Sequence, residues 1–321
     1  MNSSVKTQLL HHFNATHAVE LETIQSLWSG YGTISRWQLI GVQPETVIVK
    51  HVCIPQKLNH PKGWDTAISH GRKLKSYAVE TAWYTDFSEK TNAGCRVPKC
   101  FFTHKIGEEL LVVLEDLDAA GYAVRRAQLE LSEVKLVLKW LANFHAQFMQ
   151  QKPSSLWQEG SYWKLETRPD EWQAMESGWL KDSAKQLAEQ LKNCNYQTLI
   201  HGDAKVANFC FSEDMKAVAA VDFQYVGGGC GMKDVVYLLG SCLAEWECEK
   251  HEEELLNFYF GALNSATEMI DFPELEGEWR RLYAIAWADF TRFLLGWMPS
   301  HPKVNAYSLK LVKRAKKILG K

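Results

Sequence analysis

The segment His201-Gly202-Asp203-Ala204-Lys205-Val206-Ala207-Asn208, followed by Val221-Asp222-Phe223, restricts this chain more than any other stretch. Asp203 comes directly after the apolar run Thr198-Leu199-Ile200, so it stands where a buried strand opens onto a surface. Asn208 begins the apolar triplet Phe209-Cys210-Phe211, the chain turns at Ser212-Glu213-Asp214, and Ala217 to Val221 returns toward Asp222. This pattern predicts a β-hairpin. Asn208 and Asp222 are each seven residues from Met215, so the expected pairing brings both side chains to the open end of the hairpin.

Two oxygen donors at that end suit a hard cation such as Mg²⁺ carried by nucleotide phosphates. Asp203 is the candidate base that orients an attacking hydroxyl, and Lys205, in a loop too short to bury its ammonium group, can reach a transferring phosphoryl oxygen. Singly, each residue has an ordinary reading: Asp203 as a turn or cap residue, Asn208 as a turn residue, Asp222 as a strand terminator. Jointly they supply what phosphoryl transfer from ATP to a hydroxyl needs: a carboxylate, oxygen ligands for the metal and fixed positive charge.

The pattern His-Gly-Asp-x-x-x-x-Asn with an Asp-Phe in a second strand resembles the aminoglycoside phosphotransferase and choline kinase superfamily, and its ecdysteroid-kinase-like group in particular. Lys205 adds a resemblance to the Asp-x-Lys-x-x-Asn loop of protein kinases. The resemblance implies an α+β, two-lobed protein-kinase-like fold. It also implies Asp203 as catalytic base, Asn208 and Asp222 as Mg²⁺ ligands, Lys205 as a phosphate contact, and an aspartate placed like Asp234 that braces the catalytic loop. Protein kinases have Arg where Gly202 stands and Gly where Gln224 stands, and only a few residues separate Asp222 from Asp234, which leaves no long activation segment. Both departures favour a small-molecule acceptor over a protein.

At 321 residues the chain is long for one hydrophobic core and suits two lobes. Short β-like runs and one long helix fill the first third, and helices with one compact β segment follow after about residue 125, so a small β-rich nucleotide-binding lobe is expected over 1–117 and a larger, mainly helical lobe over 118–321. Ile48, Lys50 and Val52 share one face of a strand from Thr46 to Val52. A lysine there is partly desolvated and asks for a carboxylate. On a helix from about Thr66 to Ser88, Tyr77, Glu80, Tyr84 and Phe87 form one stripe, which makes Glu80 an inward-facing charge and the expected partner of Lys50, with Glu89 as an alternative. That pairing looks like the strand-lysine and helix-glutamate pair of kinase-like folds, where the lysine holds the α and β phosphates. Gly30 and Gly32 precede this strand and form either a flexible loop over the phosphates or an ordinary hairpin turn. Glu115 and Leu117 lie at the expected hinge, where the resemblance implies backbone contacts to adenine.

Residues 131 to 148 carry an apolar stripe at helical spacing, on which His145 reads as a hydrogen-bonded core residue. Gly227 to Gly231 lacks the Gly-Lys-Ser/Thr ending of a P-loop and reads as a structural turn, and Asp234 reads as the N-cap of the helix after it. The C-terminal lobe accumulates Trp157, Trp163, Trp172, Trp179, Trp279, Trp287 and Trp297, residues able to bind cationic or ring-shaped acceptors. Trp287 with Asp289 either lines a cation site or packs in the core. Choline-like amines, aminoglycosides, sugars and sterol-like alcohols all stay open as acceptors.

With 36 basic and 38 acidic residues the net charge of −2 offers no excess to neutralise a nucleic-acid backbone. The basic end of the chain has Leu309, Val312, Ala315 and Leu319 on one side and lysines on the other, which reads as a solvated helix face. Eight scattered cysteines lack zinc-site spacing and read as reduced thiols, and neither a signal peptide nor a membrane span is evident, so a cytoplasmic protein is expected. A nucleotide-binding pseudokinase acting as regulator or scaffold is the alternative to an active kinase.

Overall fold

The computed structural model of the chain describes residues 2–27, 30–54, 66–107, 109–268 and 271–320. Helix α1 (Asn2–Phe13) leads into strands β1 (His17–Ser26), β2 (Gly32–Ile40) and β3 (Thr46–Val52), then helix α2 (Thr66–Asp86), then strands β4 (Cys100–Ile106) and β5 (Glu109–Glu115). The strands form one antiparallel sheet in the order β1-β2-β3-β5-β4. Alternation along β3 sends its residues to two buried faces. Val47 and Val49 pack with Trp37, Leu39, Leu111 and Val113 against Val5 and Leu9 of α1, while Lys50 and Val52 face α2, where Val52 meets Tyr77. A central strand covered on both sides buries even its lysine.

After β5 the chain turns through Asp116–Gly121, where Tyr122 N–H donates to the Leu117 carbonyl at 2.8 Å. The remainder comprises α3 (Leu131–Gln147), the short helices α4 (Pro169–Ala174), α5 (Trp179–Asp182) and α6 (Ala184–Lys192), strands β6 (Thr198–Ile200), β7 (Phe209–Phe211), β8 (Val218–Ala220) and β9 (Gly227–Gly229), and helices α7 (Met232–Cys242), α8 (Glu245–Ala266), α9 (Phe272–Trp297) and α10 (Ala306–Ile318). The apolar stripe of α3 buries Val134, Leu138, Leu141 and His145 as its spacing predicts. Around the two-stranded pairs β6-β9 and β7-β8, α3 packs on α8, and α9 packs on α6, α7 and α10. Among the described residues no helix is long and apolar enough to cross a membrane.

Three local expectations are corrected here. Gly227–Gly229 is a strand paired with β6 rather than a turn, and a Cβ at Gly227 would stand 2.1 Å from the Trp157 carbonyl, so the glycines let a neighbouring backbone lie directly on the strand. Asp234 lies inside the first turn of α7, whose N-cap is Gly231. On α10 the buried stripe is Tyr307, Leu311 and Ala315, and Leu309 is exposed. The tryptophans mostly fill the core. Trp163, Trp279 and Trp287 are buried, and Asp289 pairs with Arg292 at 2.8 Å and accepts from Trp163 Nε1 at 3.1 Å, so the core reading of Trp287 and Asp289 holds.

Candidate active site

The loop from His201 to Asn208 is pinned from behind. Asp234, carried on α7, accepts hydrogen bonds from the backbone N–H of His201 (2.6 Å) and of Gly202 (2.9 Å). His145 Nε2 donates to the same carboxylate at 3.1 Å, and its Nδ1 accepts from the Tyr259 hydroxyl at 2.8 Å. The bracing role is therefore filled by Asp234 acting on the loop from inside its helix. Gly202 has φ +78°, and a Cβ there would meet the Tyr225 carbonyl at 2.1 Å. Left-handed strain and a backbone clash combine, so Gly202→Ala is expected to lower the unfolding free energy by about 2–5 kcal/mol. Urea denaturation checks this, and a loss below about 0.5 kcal/mol, the usual range of neutral surface changes, would contradict it.

Held in this way, Asp203 is buried with its Oδ2 accepting from Lys205 Nζ (2.9 Å) and Asn208 Nδ2 (3.1 Å). Its Oδ1 accepts no hydrogen bond from the described residues, nor does Asp222 Oδ1, and the Tyr237 hydroxyl, raised by burial and by the Asp203 charge, borders the Asp203 carboxylate. Burial raises the Asp203 carboxyl, Lys205 opposes the rise and Asp222 adds to it. Lys205 is partly exposed, as its short loop implies.

The hairpin forms in a register one residue away from expectation. Phe209 pairs with Ala220 and Phe211 with Val218, so Asn208 stands opposite Val221, whose N–H donates to the Asn208 carbonyl at 3.0 Å. The turn closes between Ser212 and Ala217, where Ser212 N–H reaches the Ala217 carbonyl at 3.0 Å, which centres it between Asp214 and Met215 rather than on Met215. A one-residue slip sends side chains to the other face. Asp222 offsets it with a left-handed backbone, φ +67°, and lies 3.6 Å from Lys50 Nζ. The next residue, Phe223, stacks on Trp83 of α2 with ring centroids 4.4 Å apart.

Lys50 and Glu80 meet at 2.6 Å, both almost fully buried. Burial pulls the Lys50 ammonium down, but Glu80 and Asp222 more than reverse this, so the lysine stays charged. Glu80 bears the consequence. Burial pushes its carboxyl up to about 7 against the pull of Lys50, and Asp222, itself held low chiefly by Lys50 and Lys205 against burial, adds to the push.

Lys50, Glu80, Glu115, Leu117, Asp203, Lys205, Asn208 and Asp222 all line a single cavity of about 1020 Å³ between the sheet and the helices. The Glu115 carboxylate is turned to Arg96 (2.6 Å) and the Lys99 N–H (2.9 Å). Gly30 and Gly32 are not in the lining. They sit at the β1–β2 turn, where a Cβ on Gly32 would stand 2.0 Å from the His51 carbonyl, and Trp28 and Ser29 of that turn lie outside the described residues. The cavity also takes in Trp297, one of the tryptophans expected near the acceptor, and Arg72, Lys73, Tyr162, Arg168 and Tyr225, which sequence reasoning missed. Only Lys73 had a signal, since it lies seven residues before Glu80 and shares its helix face.

A protein-family comparison matches residues 69–195 and 149–272, together more than half of the chain, to the ecdysteroid kinase-like family. The chain belongs to the ecdysteroid kinase-like family. No curated protein matches it in sequence. Among solved structures, this ecdysteroid kinase-like protein resembles the ethanolamine kinase of Plasmodium vivax, with a TM-score of 0.50 and 10% identity over 94% of this chain and 80% of that one. An aminoglycoside-3'-phosphotransferase of type VIII matches with a TM-score of 0.47 and 15% identity over 89% of this chain and 98% of that one. An aminoglycoside phosphotransferase of Streptomyces rimosus, in complex with ADP and streptomycin, matches with a TM-score of 0.45 and 10% identity over 78% and 90%. The ecdysteroid kinase-like protein thus has the protein-kinase-like architecture, with a β-rich N-terminal part and a helical C-terminal part.

Proposed function

We propose that this protein transfers the γ-phosphoryl group of ATP to a hydroxyl of a small molecule, with Asp203 as base. One observation carries the reading: a buried carboxylate, one oxygen tethered by Lys205 and Asn208 and the other without a hydrogen-bond donor among the described residues, faces the cavity that also holds Lys50, Glu80 and Asp222. Membership of the ecdysteroid kinase-like family supports the same reaction class.

The donor set fits a divalent cation. Asp222 Oδ1 has no hydrogen-bond donor among the described residues and only a 3.6 Å ion-pair contact with Lys50, and Asn208 commits its amide nitrogen to Asp203, which leaves its amide oxygen for a metal. Mg²⁺ bound by Asp222 and Asn208 would neutralise phosphate charge and fix the phosphates. Lys50, kept cationic and oriented by Glu80, holds the α and β phosphates. Ile34, Ile48 and Leu114 are apolar residues of the lining that suit the adenine ring, and with the Glu115 side chain engaged elsewhere, hinge contacts to adenine fall to the backbone around Leu117. In the transfer, the acceptor oxygen bonds to phosphorus as the bond from phosphorus to ADP breaks. Asp203 takes the hydroxyl proton, and Lys205 steadies the transferring oxygens.

The test is purified protein with Mg²⁺ and ATP against a panel of hydroxyl metabolites, followed by mass spectrometry for acceptors that gain one phosphoryl group. Nucleotide binding with no turnover across the panel, or phosphate appearing only on polypeptide, would overturn the assignment.

Lys73 supplies a pH prediction. Burial, with Lys50 and Arg72 adding and Asp222 opposing, lowers its ammonium to about 8. The depressed value means that neutral Lys73 favours the folded protein, a contribution present at high pH and lost as pH falls through about 8. Bound phosphate prefers the charged form. The Lys73 contribution to nucleotide affinity is therefore flat below pH 8 and falls above it, by up to about tenfold per pH unit. Titration calorimetry checks this, and a Lys73→Met variant that keeps the same slope would assign it to another group.

A further inference from the structure

We infer that the acceptor carries an anionic group and that Arg72 and Arg168 hold it. The inference rests on the kinase reading above and adds the substrate class. The cavity that holds Asp203 is also lined by Arg72, Arg168, Tyr162, Tyr225, Glu171 and Trp297. Tyr162 and Tyr225 are close enough to Arg72, Arg168 and Asp203 to feel all three charges, so the arginines and the base border one space.

The two arginines are not equivalent. Arg168 is buried and well satisfied: Nη1 pairs with Glu171 at 3.1 Å, Nε donates to the Tyr162 carbonyl at 3.0 Å, and the guanidinium lies over the Tyr162 ring at 4.5 Å. Arg72 has neutral partners only, the Thr167 carbonyl at 2.6 Å and Ser69 Oγ at 3.3 Å. Its buried Nε–H has no acceptor among the described residues, and no carboxylate there lies within ion-pair distance of it. The other acids lining the cavity are engaged, Glu80 and Asp222 with Lys50, Asp203 with Lys205, Glu115 with Arg96, and Glu22, Asp116 and Asp118 with Arg36. Glu171 thus answers one of two adjacent guanidinium charges.

A part-buried cation without a counter-ion is unfavourable until an anion arrives. Guanidinium groups match oxyanions with forked hydrogen bonds, so a carboxylate, phosphate or sulfate is the complementary chemistry. Tyr162, Tyr225 and Trp297 line the same cavity and give the rest of the molecule an aromatic surround. Choline-like amines and aminoglycosides, being cations, meet like charge here.

Two sources can supply such an oxyanion: the acceptor or the nucleotide γ-phosphate. Titrating inorganic sulfate into protein saturated with Mg²⁺ and a non-hydrolysable ATP analogue separates them, because the analogue fills the γ position. Sulfate is expected to bind this complex. Arg72→Gln should weaken it by about tenfold or more, Arg72→Lys should retain most of it, and analogue affinity should stay within about twofold. Ser69→Asp, which places a carboxylate beside Arg72 and deletes no cation, should weaken sulfate binding similarly and answers the case in which Arg72→Gln does not fold. Analogue binding without sulfate binding, or sulfate binding indifferent to both variants, overturns the anion site alone. Loss of analogue affinity in Arg72→Gln assigns the arginine to the nucleotide. Failure of wild-type protein to bind the analogue sinks the kinase reading, and the acceptor assignment with it.

Discussion

With Asp203 replaced by Asn, turnover of the acceptor identified in the panel falls by about 10²–10⁴-fold while nucleotide affinity is kept. An amide oxygen in the Oδ2 position still accepts from Lys205 and Asn208, at 2.9 and 3.1 Å in the native protein. The amide nitrogen takes the Oδ1 position, where no donor opposes it. The loop therefore keeps its shape and loses only a group able to take the hydroxyl proton. Burial raises the native Asp203 carboxyl, so removing its charge should leave the melting temperature unchanged or higher. Reduced turnover with intact folding and binding isolates the chemical step. Undiminished turnover would remove Asp203 from the role of base.

Lys50→Met should be the most damaging change in the N-terminal part. It strands Glu80 beside Asp222 in a buried site and is expected to cost about 3–5 kcal/mol, together with the phosphate contact. The double variant Lys50→Met/Glu80→Leu removes both charges, so most of the stability should return while nucleotide affinity stays lost. The pH dependence follows from Glu80. Its carboxyl is raised from 4.5 to about 7, so protonation favours the folded state, a contribution fully present below pH 4.5 and lost as pH rises through about 7. Without Lys50 the rise is larger, and the single variant should be closer to wild type at pH 5 than at pH 8. Urea denaturation at the two pH values, with nucleotide titration, measures both. A double variant as unstable as the single one would show that Glu80 is not the source of the loss.

The residues legible in the sequence were those whose neighbours made them anomalous. A lysine on an alternating strand face and a lone glutamate on an apolar helix stripe each need a partner, and Lys50 and Glu80 are in contact. The hairpin was legible because apolar runs flank a polar turn, but its register was not. That depends on whether the turn centres on one residue or between two, and nothing in Ser212 to Ala217 decides it. Tryptophans look like ligand platforms in a list, yet their size makes them core material, and of those singled out beforehand Trp297 lines the cavity. Arg72 lies on a helix edge that reads as solvent-facing, and Arg168 lies in an irregular stretch without periodicity. Only the folded chain brings them together.

The stack of Phe223 on Trp83 has a mechanical consequence. Trp83 belongs to the helix that carries Glu80, and Phe223 follows Asp222 in the chain. A swing of α2 large enough to withdraw Glu80 from Lys50 must either unstack these rings or drag the backbone of Asp222 along. Aromatic pairs of this kind contribute about 0.5–1.5 kcal/mol beyond their burial, and the stack couples the two movements by that amount. The helix and the aspartate are thereby latched to each other, and a ligand that seats one of them favours the seating of the other.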